Sequence, residues 1–174
     1  LTAMQHVVSS DRTPNADFSV WGPHATRLLK RTRLSGLRMD SSGVFRNVEL
    51  FGPQSHDVWE LSWEVFFTAM VMVDVVSRPP LHAYARKMKH YHNRYGTSVW
   101  PIIYQADCRA RSEHLARCRT LCILEHSRLQ TAGLPSLFNP AQPWDLAFTK
   151  MVEDEKFWKT ELEEPCFMVL SRSS

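Results

Sequence analysis

Histidine and cysteine side chains recur every four residues in the middle of this 174-residue chain. Their types suit zinc, because imidazole nitrogen and thiolate sulfur are ligands that zinc prefers in proteins. One straight helix cannot place four such ligands around an ion as a tetrahedron, and no Cys-x-x-Cys pair accompanies them. We therefore expect small buried thiols and partly exposed histidines, with no metal and no cofactor. The four residues are His114, Cys118, Cys122 and His126.

Basic side chains are concentrated in the same part of the chain. Residues 78–128 carry 10 basic and 3 acidic side chains, whereas residues 129–174 carry 4 basic and 7 acidic ones. The net charge of +3 therefore hides a basic middle and an acidic end. A basic surface attracts nucleic acid, and arginine presents a planar fork to phosphate. The candidate phosphate contacts are Lys87, Lys89, Arg109, Arg117 and Arg119.

Other roles for these charges compete with nucleic-acid binding. The basic middle could pair with the acidic end of its own chain or of a neighbouring copy, and charge runs are often solvated faces. Arg109 and Arg111 point about 200° apart on a helix, which disfavours a single helix that reads a groove. The possible partners are therefore a second copy of the chain, or RNA or DNA.

Three common sequence signatures of catalysis are absent from the chain. The chain has no Gly-x-Ser-x-Gly, no His-Glu-x-x-His and no phosphate-binding glycine loop, and it holds only 6 glycines. The acidic run Glu153–Glu155 is typical of a solvated helix surface. We expect that the protein is not an enzyme. The remaining alternative is an enzyme whose site forms only on folding.

Composition predicts a folded, soluble chain. Hydrophobic residues make up 44% and aromatic residues 11%, which is unlike a disordered segment. The longest apolar stretch, within residues 58–76, contains Glu60, Glu64 and Asp74 and is too short to span a membrane. The N-terminus lacks a secretory signal pattern, and the four cysteines lack the spacing of a secreted disulfide framework. We expect an intracellular protein, cytoplasmic or nuclear, without a membrane partner.

Residues 34–170 are predicted to form a single helical domain, preceded by an irregular arm over residues 1–33. Residues 34–51 form a predicted hairpin, in which Asp40–Gly43 supplies the turn and Gly43 can take a positive φ. Helices are expected over four ranges, bounded by cap residues, prolines and glycines, and Gly96 is the predicted C-terminal cap of the second. These ranges are about 57–76, 79–95, 99–132 and 143–163.

Apolar side chains recur at helical spacing in each predicted helix. The first helix carries two apolar rows, which is typical of a helix at the centre of a core, and Ser55 is its predicted N-cap. Arg111 and Glu155 interrupt the apolar faces of the third and fourth helices. Asp107–Arg111 and Glu113–Arg117 are pairs four residues apart with the acid on the N-terminal side, which is the favourable order on a helix. The expected rows are Trp59, Trp63, Phe66, Met70 and Val73 with Leu61, Val65, Ala69, Met72 and Val76; then Leu81, Tyr84, Met88, Tyr91 and Tyr95; then Tyr104, Cys108, Leu115, Cys118 and Cys122; then Trp144, Phe148, Met151, Trp158 and Leu162.

Four blocks of the sequence resemble a known family. They are VELFGP at 48–53, WELSWEVFFTAMVM at 59–72, Arg94-Tyr95-Gly96 with VWPIIYQADCRARSEHLAR at 99–117, and FNPAQPWDLAFTKMVEDEKFW at 138–158. These blocks resemble segments of retroelement-type polyproteins that are abundant in some large protist genomes. The resemblance covers roughly residues 45–160, and its most specific part is the block from Tyr104 to His114.

The resemblance implies a gag-like helical module that lies upstream of cysteine-rich knuckles and of a reverse transcriptase. It supplies no catalytic residue for this region, and the RNA-binding knuckle and any polymerase or protease motif are missing from this sequence. A gag-like role is therefore an analogy of fold and context.

The sequence predicts a mainly α fold, with about four helices around one core and a small N-terminal β-hairpin. The function that we expect is a non-enzymatic structural module of a gag-like polyprotein, which self-associates or packages nucleic acid. The alternative is a helical nucleic-acid-binding module that uses the basic middle of the chain.

Overall fold

The computed structural model describes residues 12–18 and 32–172 of the chain. It is mainly helical and carries a small two-stranded antiparallel hairpin before the helices, which confirms the predicted fold class. Of the predicted irregular arm, residues 12–18 form neither helix nor strand, and residues 32 and 33 belong to the first strand. The remainder of that arm lies outside the described residues.

The hairpin pairs β1 (Thr32–Met39) with β2 (Phe45–Gly52) in antiparallel register. The Asp40 carboxylate accepts hydrogen bonds from the backbone N–H groups of Ser42 and Val44, as aspartate does at the start of a turn. Gly43 has φ +80°, so the predicted positive φ is confirmed. The turn chemistry seen in the sequence thus closes the hairpin.

A glycine fixes how the hairpin meets the helices. A Cβ atom on Gly52 would lie 2.0 Å from the ring of Tyr104, which is fully buried. Because glycine has no side chain, the end of β2 can lie directly against that ring. Leu34 and Leu50 of the hairpin pack against the same core.

Five continuous helical stretches follow the hairpin within the described part of the chain. A 3₁₀ turn, Thr97–Val99, precedes the third stretch, and π-helical turns at Ala110–His114 and Lys159–Glu163 join neighbouring helices without a break. The α-helical segments are α1 His56–Val73, α2 Arg78–Tyr95, α3 Trp100–Arg109, α4 Leu115–Thr131, α5 Asp145–Glu153, α6 Glu155–Trp158 and α7 Glu164–Arg172.

Local signals define the ends of the first two helices. The Ser55 hydroxyl accepts from the backbone N–H of Val58 at 3.4 Å, which confirms the predicted N-cap. α1 ends at Asp74, whose φ of +55° turns the chain out of the helix. α2 starts with prolines in its first turn and stops at Gly96, where φ is +82°.

The C-terminal helical region differs from the prediction of one helix over 143–163. Asp154, with ψ of 80°, ends α5 and then caps α6 by accepting from the N–H of Phe157 at 3.1 Å. This break changes the helical phase, so Glu155 is exposed although it was expected to interrupt the apolar face. The helix also continues past Pro165, because the wider π turn just before it leaves room for the proline ring.

The core lies between α1, α2, α3 and the C-terminal helices. Three of the predicted apolar rows are buried. They are the first row of α1, the row of α2 and the row of the C-terminal helices, apart from Val73 and Tyr95, which are partly exposed. The second predicted row is only partly buried, which differs from the expectation of a helix that is apolar on two sides. Ala69 and Val76 are buried, whereas Leu61 and Met72 are 45% and 62% exposed. No helix among the described residues is long and apolar enough to cross a membrane.

Candidate functional site

The fold separates the five predicted phosphate contacts into two groups. Lys87, Arg109 and Arg119 are partly buried, whereas Lys89 and Arg117 are exposed. They lie on α2, α3 and α4. The structure therefore does not gather them into one exposed basic face, and each group has to be considered by its own contacts.

Aromatic rings cover two of the partly buried cations. The Nζ atom of Lys87 lies 5.7 Å from the ring centre of Tyr91 and 5.5 Å from that of Trp158. The guanidinium carbon of Arg119 lies 4.7 Å from the ring centre of Trp144. Burial lowers the pKa of Lys87. These cations stabilise the packing of α2 and α4 against the C-terminal helices.

Acidic side chains neutralise Arg109, the third of the partly buried cations. Arg109 forms an ion pair with Glu161, and its guanidinium also lies 3.3 Å from a carboxylate oxygen of Glu113. Arg94 of α2 lies 4.0 Å from Glu163 in the same C-terminal region. The basic middle of the chain thus pairs with the acidic end of the same chain, which is one of the alternatives that the sequence left open.

An exposed basic face remains on α2. Its side chains Arg86, Lys89 and His90 are exposed, and α2 contains no acidic residue. Residues three or four positions apart share a helix face, so Arg86 lies beside Lys89 and His90. This face is the best placed of the predicted basic region to meet phosphate from solvent.

A buried charge cluster occupies the centre of the molecule. Asp107 is 0% exposed and accepts hydrogen bonds from Trp59 Nε1 at 3.0 Å and from the Tyr84 hydroxyl at 2.7 Å. Arg111, which is 1% exposed, donates to both oxygens of the same carboxylate at 3.0 and 2.7 Å. Four hydrogen bonds therefore satisfy this carboxylate, and burial raises the pKa of Tyr84.

Arg111 also contacts the N-terminal segment. Its Nη1 atom donates to Asn15 Oδ1 at 2.8 Å and to the carbonyl oxygen of Ala16 at 2.6 Å. Its guanidinium carbon lies 3.9 Å from the ring centre of Phe18. One arginine in the π turn after α3 thus contacts residues that are distant in sequence.

Sequence reasoning identified the Asp107–Arg111 spacing but misjudged its environment. Arg111 was expected to interrupt the apolar face of the third helix, whereas it completes that face by pairing with Asp107. The acid-first spacing of four residues was the available signal. The other pair with that spacing was expected to join Glu113 to Arg117, but Glu113 faces Arg109 instead.

A cysteine, a histidine and an aspartate meet beside α4, in a combination that could suggest nucleophilic catalysis. His114 Nε2 lies 2.9 Å from Asp154 Oδ2 and 3.7 Å from Cys118 Sγ. The same nitrogen therefore faces both groups, and when it donates to the carboxylate it cannot accept the thiol proton. Burial raises the pKa of Cys118 to about 11, so the thiol stays protonated near neutral pH.

The other members of the four-residue repeat lie elsewhere. Cys122 is buried, and His126 Nδ1 lies 2.8 Å from the Ser136 hydroxyl while its ring packs on Phe138. Among residues 12–18 and 32–172, no group of three or more potential ligands is close enough to hold a metal ion. The contacts of these side chains are those of packing and local hydrogen bonding.

Leucines are exposed on the second half of the long helical stretch. Leu121 and Leu124 of α4 are 65% and 61% exposed. At 3.6 residues per turn, they share an arc of about 100° with Arg117, Glu125 and Arg128. Glu125 and Arg128 form an ion pair at 2.6 Å. We call these five residues the α4 stripe. It combines apolar side chains with charges of both signs.

Two grooves border the C-terminal helices. One of about 470 Å³ lies between the hairpin and α7 and includes Phe45 and Phe167 in its lining. Another of about 310 Å³ lies against Lys87 of α2. Glu163 borders both grooves, accepts from the Tyr91 hydroxyl at 3.2 Å and faces Arg94, so its charge is already compensated within the chain.

Comparison of the chain with family models, with curated proteins and with solved structures found no match.

Proposed function

We propose that this protein is a non-enzymatic helical module that associates with copies of itself, as a structural segment of a gag-like polyprotein would. The observation that carries the proposal is the α4 stripe, where two leucines on neighbouring turns remain more than half exposed. Contiguous apolar side chains at a surface that are flanked by polar ones are typical of protein interaction sites.

The composition of the α4 stripe favours a second copy as the partner. In a twofold interface each surface meets itself, so it must be complementary to its own charges. The stripe carries the acid Glu125 and the bases Arg117 and Arg128 around Leu121 and Leu124. Antiparallel packing of two such stripes buries the leucines together and places Glu125 of one copy within about one helical turn of Arg117 of the other.

The internal ion pairs support the same proposal. Arg109 pairs with Glu161, and aromatic rings cover Lys87 and Arg119. Binding of phosphate by these cations would have to replace contacts that stabilise the fold. Three of the five predicted phosphate contacts are therefore better explained as structural residues.

The proposal is tested by light-scattering mass of nuclease-treated protein across a hundredfold concentration range at physiological salt. We expect the mass to rise from monomer to dimer or larger for the wild-type chain. The double variant Leu121→Glu/Leu124→Glu should stay monomeric, because charge repulsion and the loss of two apolar contacts both oppose association.

The matched control is Leu61→Glu, which changes an exposed leucine of α1 that is 45% accessible. It should associate like the wild-type chain. A wild-type mass that stays at the monomer value would contradict the proposal, and equal association of the α4 stripe variant and the control would rule out this surface.

A second candidate function, binding of RNA or DNA, is favoured by the exposed basic face of α2. Each phosphate contact contributes a slope of about 0.7–0.9 in the logarithm of affinity against that of salt. Replacing Arg86 and Lys89 with Gln should then weaken RNA binding. It should also reduce the slope by the contribution of about two phosphate contacts. Arg109→Gln is the control for a cation that is already paired, and an identical effect would refute the assignment to this face.

A further inference from the structure

A short extended segment lies in a groove of the helical bundle. Residues 13–18 form neither helix nor strand, and their burial alternates. Pro14 and Phe18 are buried, Ala16 is partly buried between them, and Asn15 and Asp17 are exposed. This period of two is the pattern of an extended peptide that inserts every second side chain into a receptor.

Three aromatic rings of α1 form the floor of this groove. Phe18 packs with ring centres 6.1 Å from Trp59, 6.5 Å from Trp63 and 6.1 Å from Phe66. These tilted and edge-on arrangements are favourable for aromatic pairs. The groove therefore has a defined position for an aromatic side chain. Rings on successive turns of α1 form that position.

Arg111 forms the wall opposite these rings. Its guanidinium lies over Phe18, and its Nη1 atom donates to the Asn15 amide oxygen and to the backbone carbonyl of Ala16. The paired Asp107 carboxylate holds the guanidinium in this orientation. A buried, oriented arginine thus contacts both the backbone and the aromatic side chain of the segment.

We propose that this groove is a docking site for an extended Pro-x-Ala-x-Phe segment, and that residues 13–18 of a second copy bind there in exchange with the chain's own. The segment shows which occupant the groove accepts, because it is already seated there with explicit contacts. Residues 19–31 separate it from β1, and 13 residues can span at most about 45 Å. Exchange therefore requires that the groove of the second copy lie within that reach.

Exchange of this kind rests on the proposed self-association. The α4 stripe would bring two copies together, and exchange of the segment would then add contacts between them. Because Phe18 lies on the segment and Leu121 lies on α4, variants can separate the two contributions.

The test uses a fluorescent peptide of residues 12–18, added to full-length chains. In the wild-type chain the peptide competes with a tethered segment, whose effective concentration is on the order of mM. In the full-length Phe18→Ala chain the tethered segment competes poorly, so we expect the peptide to bind at least tenfold more tightly than to the wild-type chain. A peptide that carries Phe18→Ala is the matched control and should not bind.

The mass of the wild-type chain supplies the second measurement. Excess peptide should lower the average mass at high protein concentration, because it occupies grooves that would otherwise accept segments of other copies. The full-length Phe18→Leu chain keeps an apolar side chain but loses the ring beneath Arg111. If Phe18→Ala loses its far-UV circular dichroism, Phe18→Leu replaces it, and we expect at least threefold tighter peptide binding than to the wild type.

Equal affinity of the peptide for wild-type and variant chains, or equal binding of the control peptide, overturns the groove as a docking site. In that case the α4 stripe variants still decide the proposed function independently. Peptide binding that leaves the mass unchanged overturns exchange between copies. A chain that stays monomeric at every concentration fails both the proposed function and the exchange, while peptide affinity still reports on the groove.

Discussion

The long helical stretch from Trp100 to Thr131 has two halves with opposite environments. In α3 and the π turn that follows it, the charged pair Asp107 and Arg111 is buried at the centre of the molecule. In α4, beyond Cys122, side chains are largely exposed, including Leu124. Charges therefore lie inside in the first half, and leucines lie outside in the second.

The difference arises from what surrounds each half. α3 packs against β1 and α2, while α4 packs against α5. Among the described residues, the neighbours of α4 leave Leu121 and Leu124 mostly exposed. Burial of a side chain depends on the partners that the fold supplies, and residue type alone does not determine it.

Of the substitutions that test the difference between the two halves, Arg111→Met should have the largest effect on stability. It leaves the Asp107 carboxylate buried without its cation, which costs about 3–5 kcal/mol of unfolding free energy. Urea denaturation followed by circular dichroism measures this loss. The matched control Arg117→Met changes an exposed arginine of α4 and should shift stability by less than about 0.5 kcal/mol. Similar losses of stability in both variants would contradict the assignment of Arg111 to a buried ion pair and of Arg117 to the exposed surface.

A smaller but clear difference is expected between two leucines of α4. Leu115 is 0% exposed, and Leu115→Ala should cost about 2–5 kcal/mol because it leaves a cavity. Leu121→Ala should change the stability of the monomer by less than about 0.5 kcal/mol. Thermal and urea unfolding at low protein concentration separate these effects. A large loss in Leu121→Ala would show that this leucine packs within the chain.

The smallest effect concerns the junction between the halves, where His114 stacks on Phe157 with ring centres 4.1 Å apart. Burial lowers the pKa of His114, although the nearby Asp154 carboxylate opposes this and Arg117 adds to it. The folded chain therefore binds this proton less readily than the unfolded chain, whose histidine titrates near about 6.5. Stability should fall as the pH decreases below that value.

Urea midpoints at a series of pH values test this expectation. His114→Gln can still donate a hydrogen bond to Asp154 but does not titrate, so its stability should depend less on pH than that of the wild type. If both chains lose stability equally between neutral and mildly acidic pH, the junction histidine does not contribute to the dependence.

The sequence was sufficient for the features that depend on local pattern. Apolar residues that recur at helical spacing predicted the buried faces of α1 and α2. Ser55 predicted a helix cap, Gly43 a turn and Gly96 a helix end. These features depend on residues within one or two turns, so their physical cause lies entirely in neighbouring positions. The break at Asp154 was missed because a good capping residue inside a continuous apolar pattern gives a weak signal.

Tertiary structure alone decided the fate of the charged and exposed residues. Arg111 is buried because it pairs with Asp107, on which Trp59 of α1 and Tyr84 of α2 also converge, and no spacing along one helix reveals that convergence. The groove that holds Phe18 likewise requires segments more than forty residues apart to meet. The sequence therefore determined the helices and their apolar faces through local periodicity. Which charges are paired, and which leucines remain exposed, depended on contacts between distant segments.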